Sequence, residues 1–175
     1  MPATPNPVVT DTASLYTKYT ILKGAHYCDK SMLKEFTGDH ISFSVKFDST
    51  AIYKTADPLN QEDINKLYGF SEGIDNHLNS ARIGWNWNRN ALRLYAYVYA
   101  NGIRTSKEIS KVAIGATISA TIRVAGKEYL FSVDENNVAL PRALNDSLVS
   151  GYRQYPYFGG DEIAPHNIYV YIRDM

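Results

Sequence analysis

The stretch that decides the fold is Arg82-Ile83-Gly84-Trp85-Asn86-Trp87-Asn88-Arg89-Asn90-Ala91-Leu92-Arg93-Leu94-Tyr95-Ala96-Tyr97-Val98-Tyr99. On both sides of its polar centre the apolar residues alternate with period two, as in strands with one buried face. Whether the turn holds two residues or four, Trp87 falls opposite Leu92, and the register follows. Trp87/Leu92, Trp85/Leu94 and Ile83/Ala96 then share one face, while Asn86/Arg93, Gly84/Tyr95 and Arg82/Tyr97 share the other. The first face is core, which leaves the second free for other work.

Outward from this hairpin the pattern repeats. Asn101-Gly102 suits a type I′ turn, whose two central residues need positive φ, and it sets Tyr99 opposite Arg104. A third hairpin around Ala125-Gly126 is expected to pair Ile122 with Tyr129, Ala120 with Phe131 and Ile118 with Val133, with Arg123 and Glu128 as a cross-strand ion pair. A fourth turn near Glu135-Asn136 puts Val133 opposite Val138. At the C-terminal end, Asn167 to Arg173 alternates Ile168, Val170 and Ile172 against Tyr169, Tyr171 and Arg173. Before Ser80, strands are expected over Leu15 to Tyr27 and Ile41 to Phe47, and one or two helical turns over Gln61 to Leu67 with Asn60 as cap. Short strands with turn signals about every ten residues predict an all-β, antiparallel β-sandwich of the jelly-roll or concanavalin A-like kind. Residues 1–13, with three prolines, read as a linker and residues 14–175 as a single domain.

Composition narrows the function classes. With 18 basic and 18 acidic residues the net charge is zero, so no broad field attracts nucleic acid. No apolar run approaches the ~20 residues of a transmembrane helix, and a soluble chain is expected. The only cysteine, Cys28, excludes an internal disulfide and reads as a small buried hydrophobe. The proline-rich opening reads either as the remainder of a trimmed secretion signal, which implies an exported protein, or as a frayed terminus.

The segments Phe47-Asp48-Ser49-Thr50-Ala51-Ile52-Tyr53, Asp63-Ile64-Asn65-Lys66-Leu67-Tyr68-Gly69-Phe70, Ser80-Ala81-Arg82-Ile83-Gly84-Trp85 and Tyr155-Pro156-Tyr157-Phe158-Gly159-Gly160-Asp161-Glu162-Ile163-Ala164-Pro165-His166 resemble a group of uncharacterised exported proteins of Bacteroidota. That resemblance implies an exported location and no particular chemistry. The meander from Arg82 to Leu140 is similar in architecture to concanavalin-like lectin and glucanase sandwiches, a scaffold shared by many functions.

Tyrosine is the compositional outlier, 14 residues against 6 Phe and 2 Trp. On the non-core face of the first hairpin Arg82, Asn86, Arg93, Tyr95, Tyr97, Tyr99 and Arg104 should project together. Aromatic rings cover the C–H faces of sugars, and Arg and Asn donate to hydroxyls or carboxylates, so this face is a candidate polysaccharide or oligosaccharide site. Gly84 opposite Tyr95 leaves space for a ring or ligand. The opposing reading covers this face with loops and makes its tyrosines a second small core. A second candidate is Tyr155 to His166, where Gly159-Gly160 permits an unusual path beside Asp161, Glu162 and His166. It would suit calcium or an acid and base, or simply form a rigid corner. No other cofactor is expected, since His26, His40, His77 and His166 lack metal-ligand spacing, and the oligomeric state stays open.

The E-x-D-x-x-E and E-x-D-x-E patterns of sandwich glucanases are missing, although carboxylates on separate strands, with Glu128 and Glu162 as suspects, would also serve a glycosidase. A polysaccharide lyase using Tyr or His to move a proton and Arg or Asn to neutralise a uronate is the stronger enzymatic alternative. A non-catalytic glycan-binding module is the leading expectation, and an adhesive protein without a small ligand the third.

Overall fold

The computed structural model describes residues 15–175, so the expected linker 1–13 lies outside the described residues. These residues form twelve strands: β1 (Thr17–Ile21), β2 (Glu35–Gly38), β3 (His40–Phe47), β4 (Asn65–Glu72), β5 (Ser80–Asn88), β6 (Ala91–Ala100), β7 (Ile103–Val112), β8 (Ile118–Ala125), β9 (Glu128–Val133), β10 (Asn136–Pro141), β11 (Val149–Gln154) and β12 (Ile168–Asp174). They build two antiparallel six-stranded sheets, β1-β12-β3-β8-β9-β10 and β2-β11-β4-β5-β6-β7. The chain is an all-β jelly-roll sandwich.

The first hairpin has the expected register, with Trp87 opposite Leu92, Trp85 opposite Leu94 and Arg82 opposite Tyr97. Its turn holds two residues, Arg89 and Asn90, at φ 51° and 54°, and Asn101 and Gly102 likewise take positive φ in the next turn. Trp85, Leu92, Leu94, Ile83 and Ala96 are fully buried and meet Phe47, Ile122, Phe131, Val170 and their neighbours from the other sheet. Each such large side chain contributes about 1.5–3 kcal/mol on burial.

Five expectations are corrected. In the third hairpin Ile122 pairs with Phe131, Val124 with Tyr129 and Ala125 with Glu128, two residues away from the expected register. The turn residues are Gly126-Lys127, which places the positive φ on Gly126. A slip of two leaves every side chain on its face, so hydrophobic alternation is blind to it. The expected Arg123–Glu128 pair is therefore absent, and Arg123 instead meets Asp39 at 2.8 Å. The fourth turn slips in the same way: Val133 pairs with Asn136 and Phe131 with Val138, around Asp134 at φ 49°. The expected helix over Gln61 to Leu67 is a short 3₁₀ segment at Pro58–Glu62 capped by Asp57, followed by β4. Pairing of β4 with β5 and β11 overrides the local preference. The N-terminal strand is short, ending at Ile21, with Cys28 returning to bridge it.

Candidate functional site

The outer face of the second sheet divides into a covered half and an open half. Asn86 and Tyr95 lie in the covered half, against the Asp57–Asp63 segment, and Arg93 stands beside them opposite Asn86. Asn86 is buried; its Nδ2 donates to the carbonyls of Glu62 (3.2 Å) and Asp63 (3.4 Å), while its Oδ1 accepts from the Tyr95 hydroxyl at 3.1 Å. Arg93 donates to Asn88 O at 3.0 Å and to both oxygens of Glu108 at 3.1 Å. The space expected beside Gly84 is filled by the chain itself, since a Cβ there would collide with Ile64.

The open half is a groove of about 550 Å³, whose lining includes Lys66, Arg82, His77, Gln154 and Tyr157. Its floor follows from strand register. Gln154 of β11 lies opposite Gly69 of β4, Gly69 opposite Arg82 of β5, and Arg82 opposite Tyr97 of β6. Gly69 is required here, because any Cβ would strike Ala81 O and the Arg82 stem, at 2.7 Å from Arg82 Cα. A register shift between Lys66 and Tyr68 turns both Leu67 and Tyr68 into the core and leaves Lys66 on the outer side, lining the groove.

Loops make the walls. Tyr157 exchanges two backbone hydrogen bonds of 2.9 Å with Lys66, stacks on His26 at 5.3 Å and meets Tyr27 edge-on at 4.9 Å. On the other side, Asn76 donates to Gln154 at 3.0 Å and the His77 ring sits against Tyr99 at 5.2 Å. Exposed Tyr27, Met32, Leu33 and Ile74 form an apolar rim.

The electrostatics of the groove are lopsided. Arg82 is only 6% exposed, and none of its guanidinium nitrogens donates a hydrogen bond among the described residues; Nε and Nη2 are fully enclosed. It lies 5.4 Å from the centre of the Tyr97 ring, which Lys66 Nζ approaches to 4.8 Å. Burial, reinforced by Arg82 and Arg104 nearby, pushes the Lys66 ammonium down to about 8. Burial likewise pushes Arg82 below its ordinary value, and burial and the neighbouring Tyr99 push the Tyr97 phenol up to about 12. Among the described residues no Asp or Glu lines the groove, although Asp63 lies near enough to oppose the shift of Lys66 in part. A buried cation without a counterion is costly, and a carboxylate brought by a ligand would offset that cost through a charge-assisted hydrogen bond from Nη1, the guanidinium nitrogen that is not enclosed.

Of the sequence candidates, Arg82 lines the groove; Tyr97 is buried behind it, against Arg82 and Lys66, Tyr99 packs on His77, Arg104 is exposed outside the lining, and Asn86, Arg93 and Tyr95 belong to the covered half. Asp161 is exposed, and His166 Nε2 contacts the carbonyl of Thr50 at 2.8 Å; neither lines the groove. Glu162 accepts from the amides of Ala56 and Asp57, both at 2.8 Å, and from Asn60, fixing the loop as a corner. Among the described residues no three His, Cys, Asp or Glu side chains come together as a metal site. Sequence reasoning missed Lys66, Gln154, His26, Asn76 and His77; Tyr157 fell within the second candidate segment, Tyr155 to His166, but was given no role there. The one available signal was glycine on an outward strand position, at Gly69.

Comparison with known proteins yields structural likeness only. No protein-family model matches the sequence, and no curated protein matches it. Among solved structures, the chain is similar to alginate lyase AlyC3 (TM-score 0.65, 12% identity, covering 94% of this chain and 75% of that one) and to its complex with dimannuronate (TM-score 0.63). It is also similar to the Family 7 alginate lyase A1-II′ in complex with a product (TM-score 0.54, 11% identity, 99% and 85% covered) and to an alginate lyase from Alteromonas sp. 272 (TM-score 0.53, 11% identity, 98% and 89%). At such identities the likeness establishes what the architecture already shows: the chain shares the jelly-roll fold of these lyases.

Proposed function

We propose that the groove binds an acidic polysaccharide, with the carboxylate of a uronate unit seated on Arg82. The observation that carries this reading is the buried Arg82 guanidinium, without a hydrogen-bond partner among the described residues, in a groove that no described Asp or Glu lines. Lys66 adds positive charge, and Tyr157 and Tyr27 offer aromatic faces for the sugar ring. The likeness to an alginate lyase complexed with dimannuronate supports the ligand class. An exported location, where such polymers are met, belongs to the same reading. Affinity electrophoresis in gels cast with alginate tests it. The chain should be retarded, and Arg82→Met should migrate as in a gel without polymer; equal retardation of the two would sink the assignment.

The Lys66 amine favours a second reading, uronate β-elimination. A group held near neutrality in a sugar groove can act as a base. With the carboxylate neutralised by Arg82, Lys66 would take the proton from C5, the C4–O bond would break as the C4=C5 double bond forms, and the Tyr157 hydroxyl would protonate the departing oxygen. The products are a new chain end and a 4,5-unsaturated uronate, with no oxidant or reductant consumed. Incubation with alginate and other polyuronates should then generate the ultraviolet absorbance of that product, lost in Lys66→Met. Silence across the panel, together with retained binding, would leave a purely binding groove.

A further inference from the structure

We infer that the outer face of the first sheet carries a second contact for acidic glycan, so that one molecule holds two polymer strands at once. This rests on the acidic-glycan reading of the groove but on different residues. On that face Lys18, Tyr171 and Lys46 stand in one row across β1, β12 and β3. Lys18 Nζ sits 3.8 Å above the Tyr169 ring and Lys46 Nζ 4.6 Å from that of Tyr16. Between Tyr16, Lys46, Asp48, Gly115 and Tyr171 lies a hollow of about 290 Å³. A Cβ on Gly115 would meet nothing within 4 Å, so the hollow opens outward there.

Charge selects the ligand. Lys18, Lys46 and Arg173 have no carboxylate within 4 Å among the described residues. The acid in the hollow, Asp48, is already engaged by the Thr50 amide at 2.9 Å, by the Thr50 hydroxyl and by the Tyr171 hydroxyl at 3.4 Å. Cations standing over tyrosine rings offer alternating apolar and positive spots, which match the C–H faces and carboxylates of a polyuronate. This face looks away from the groove across a sandwich whose sheets pack about 10 Å apart, so a short oligosaccharide occupies one site or the other. A long polymer is bridged to a second strand.

The test compares wild type, Lys18→Ala with Lys46→Ala, Arg82→Met, and the combination, by electrophoresis in alginate gels and by light scattering of chain–alginate mixtures. The double lysine variant should be retained about fivefold less, should lose the scattering of bridged polymer, and should bind dimannuronate in the groove unchanged. Gln in place of Ala at both positions, with thermal melts, separates lost charge from lost folding. Unchanged retention and scattering in the double lysine variant overturns the second contact and leaves the groove standing. Retention lost with the lysines but untouched by Arg82→Met overturns the groove and leaves this face. An equal lysine-dependent retention in gels cast with single-stranded DNA assigns the face to general polyanion capture and overturns its glycan role.

Discussion

Arg82 and Arg142 are both buried, 6% and 3% exposed, yet their surroundings are opposite. Arg142 closes the end of the sandwich. Its Nε and Nη2 donate to the two oxygens of Glu72 at 2.6 and 2.8 Å, its Nη1 to the carbonyls of Gly126 and Asp146, and the Tyr129 hydroxyl adds a 2.6 Å bond to the same carboxylate. Glu72 ends β4 in one sheet and Tyr129 lies in β9 of the other, so the cluster ties the layers together. The Glu72 hydrogen bonds hold Arg142 above its ordinary value, whereas burial holds Arg82 below its own. A guanidinium whose three nitrogens all donate inside the chain is structural. One buried beside a groove with its donors unused is, on the proposed reading, the seat of a ligand carboxylate.

Replacing each arginine by Met should separate the two roles, and the largest effect belongs to Arg142→Met. It leaves the Glu72 charge buried without its partner, which costs about 3–5 kcal/mol, read as a lower urea midpoint. Alginate retention per folded molecule should not change. Arg82→Met should do the reverse, with stability equal to wild type or higher, because an uncompensated buried charge has gone, and retention weakened by more than about tenfold. A fall in stability on Arg82→Met as large as that on Arg142→Met would mean that Arg82 is held by the fold and not by a ligand.

The comparison also marks how far the sequence could be read. Arg82 was legible because it sits in the hairpin where Trp, Leu and Ile on one face force Arg and Tyr onto the other, with turns short enough to fix the register. The jelly-roll class followed from the same alternation. Lys66 was not legible: it precedes a register shift in a strand whose local pattern reads as helix, and only pairing with β5 and β11 makes it extended. The groove walls come from loops around residues 26–33 and 72–79 and from the Tyr155–Gly160 return. These are brought together by contacts between segments distant in sequence, such as His26 on Tyr157 and Asn76 on Gln154, which no local period encodes. The division of the outer face was hidden for the same reason. Asn86 and Tyr95 alternate as Arg82 and Tyr97 do, and it is the path of residues 57–63 that covers Asn86, while Arg82 and Tyr97 are buried as well and only Arg82 of the four lines the groove.

The Lys66 amine sharpens the electrostatic half of this contrast. With its folded-state value at about 8, against about 10.4 in an unfolded chain, Lys66 is mostly charged at pH 7 and mostly neutral at pH 9. For stability, the cost of holding the charged amine is present below pH 8 and is relieved as pH rises from 8 towards 10.4. Tyr97 and Tyr53, both raised to about 12, work in the opposite direction above pH 10, where the unfolded chain loses phenol protons that the folded one keeps. For binding, an acidic ligand prefers the charged amine, so retention should weaken on the order of fivefold between pH 7 and 9. Lys66→Met should be weaker at pH 7 and show no such decline; a decline that persists in the variant would place the titrating group elsewhere.

The smallest expected effect comes from the covered half of the same sheet face. Tyr95→Phe removes the hydroxyl that donates to Asn86 Oδ1, leaving a buried acceptor without that donor, while Asn86 Nδ2 still reaches the Glu62 and Asp63 carbonyls. The loss should be about 0.5–1.5 kcal/mol in urea. Retention in alginate gels should stay at the wild-type level, because Tyr95 points at the chain's own Asp57–Asp63 segment and not into the groove. Weakened retention at unchanged stability would show that this segment lifts away and that the ligand runs along the whole face, from Arg82 through to Arg93. The two halves would then be one site with a removable cover, and Arg93, held by Glu108 in the unliganded chain, would join Arg82 as a second carboxylate partner.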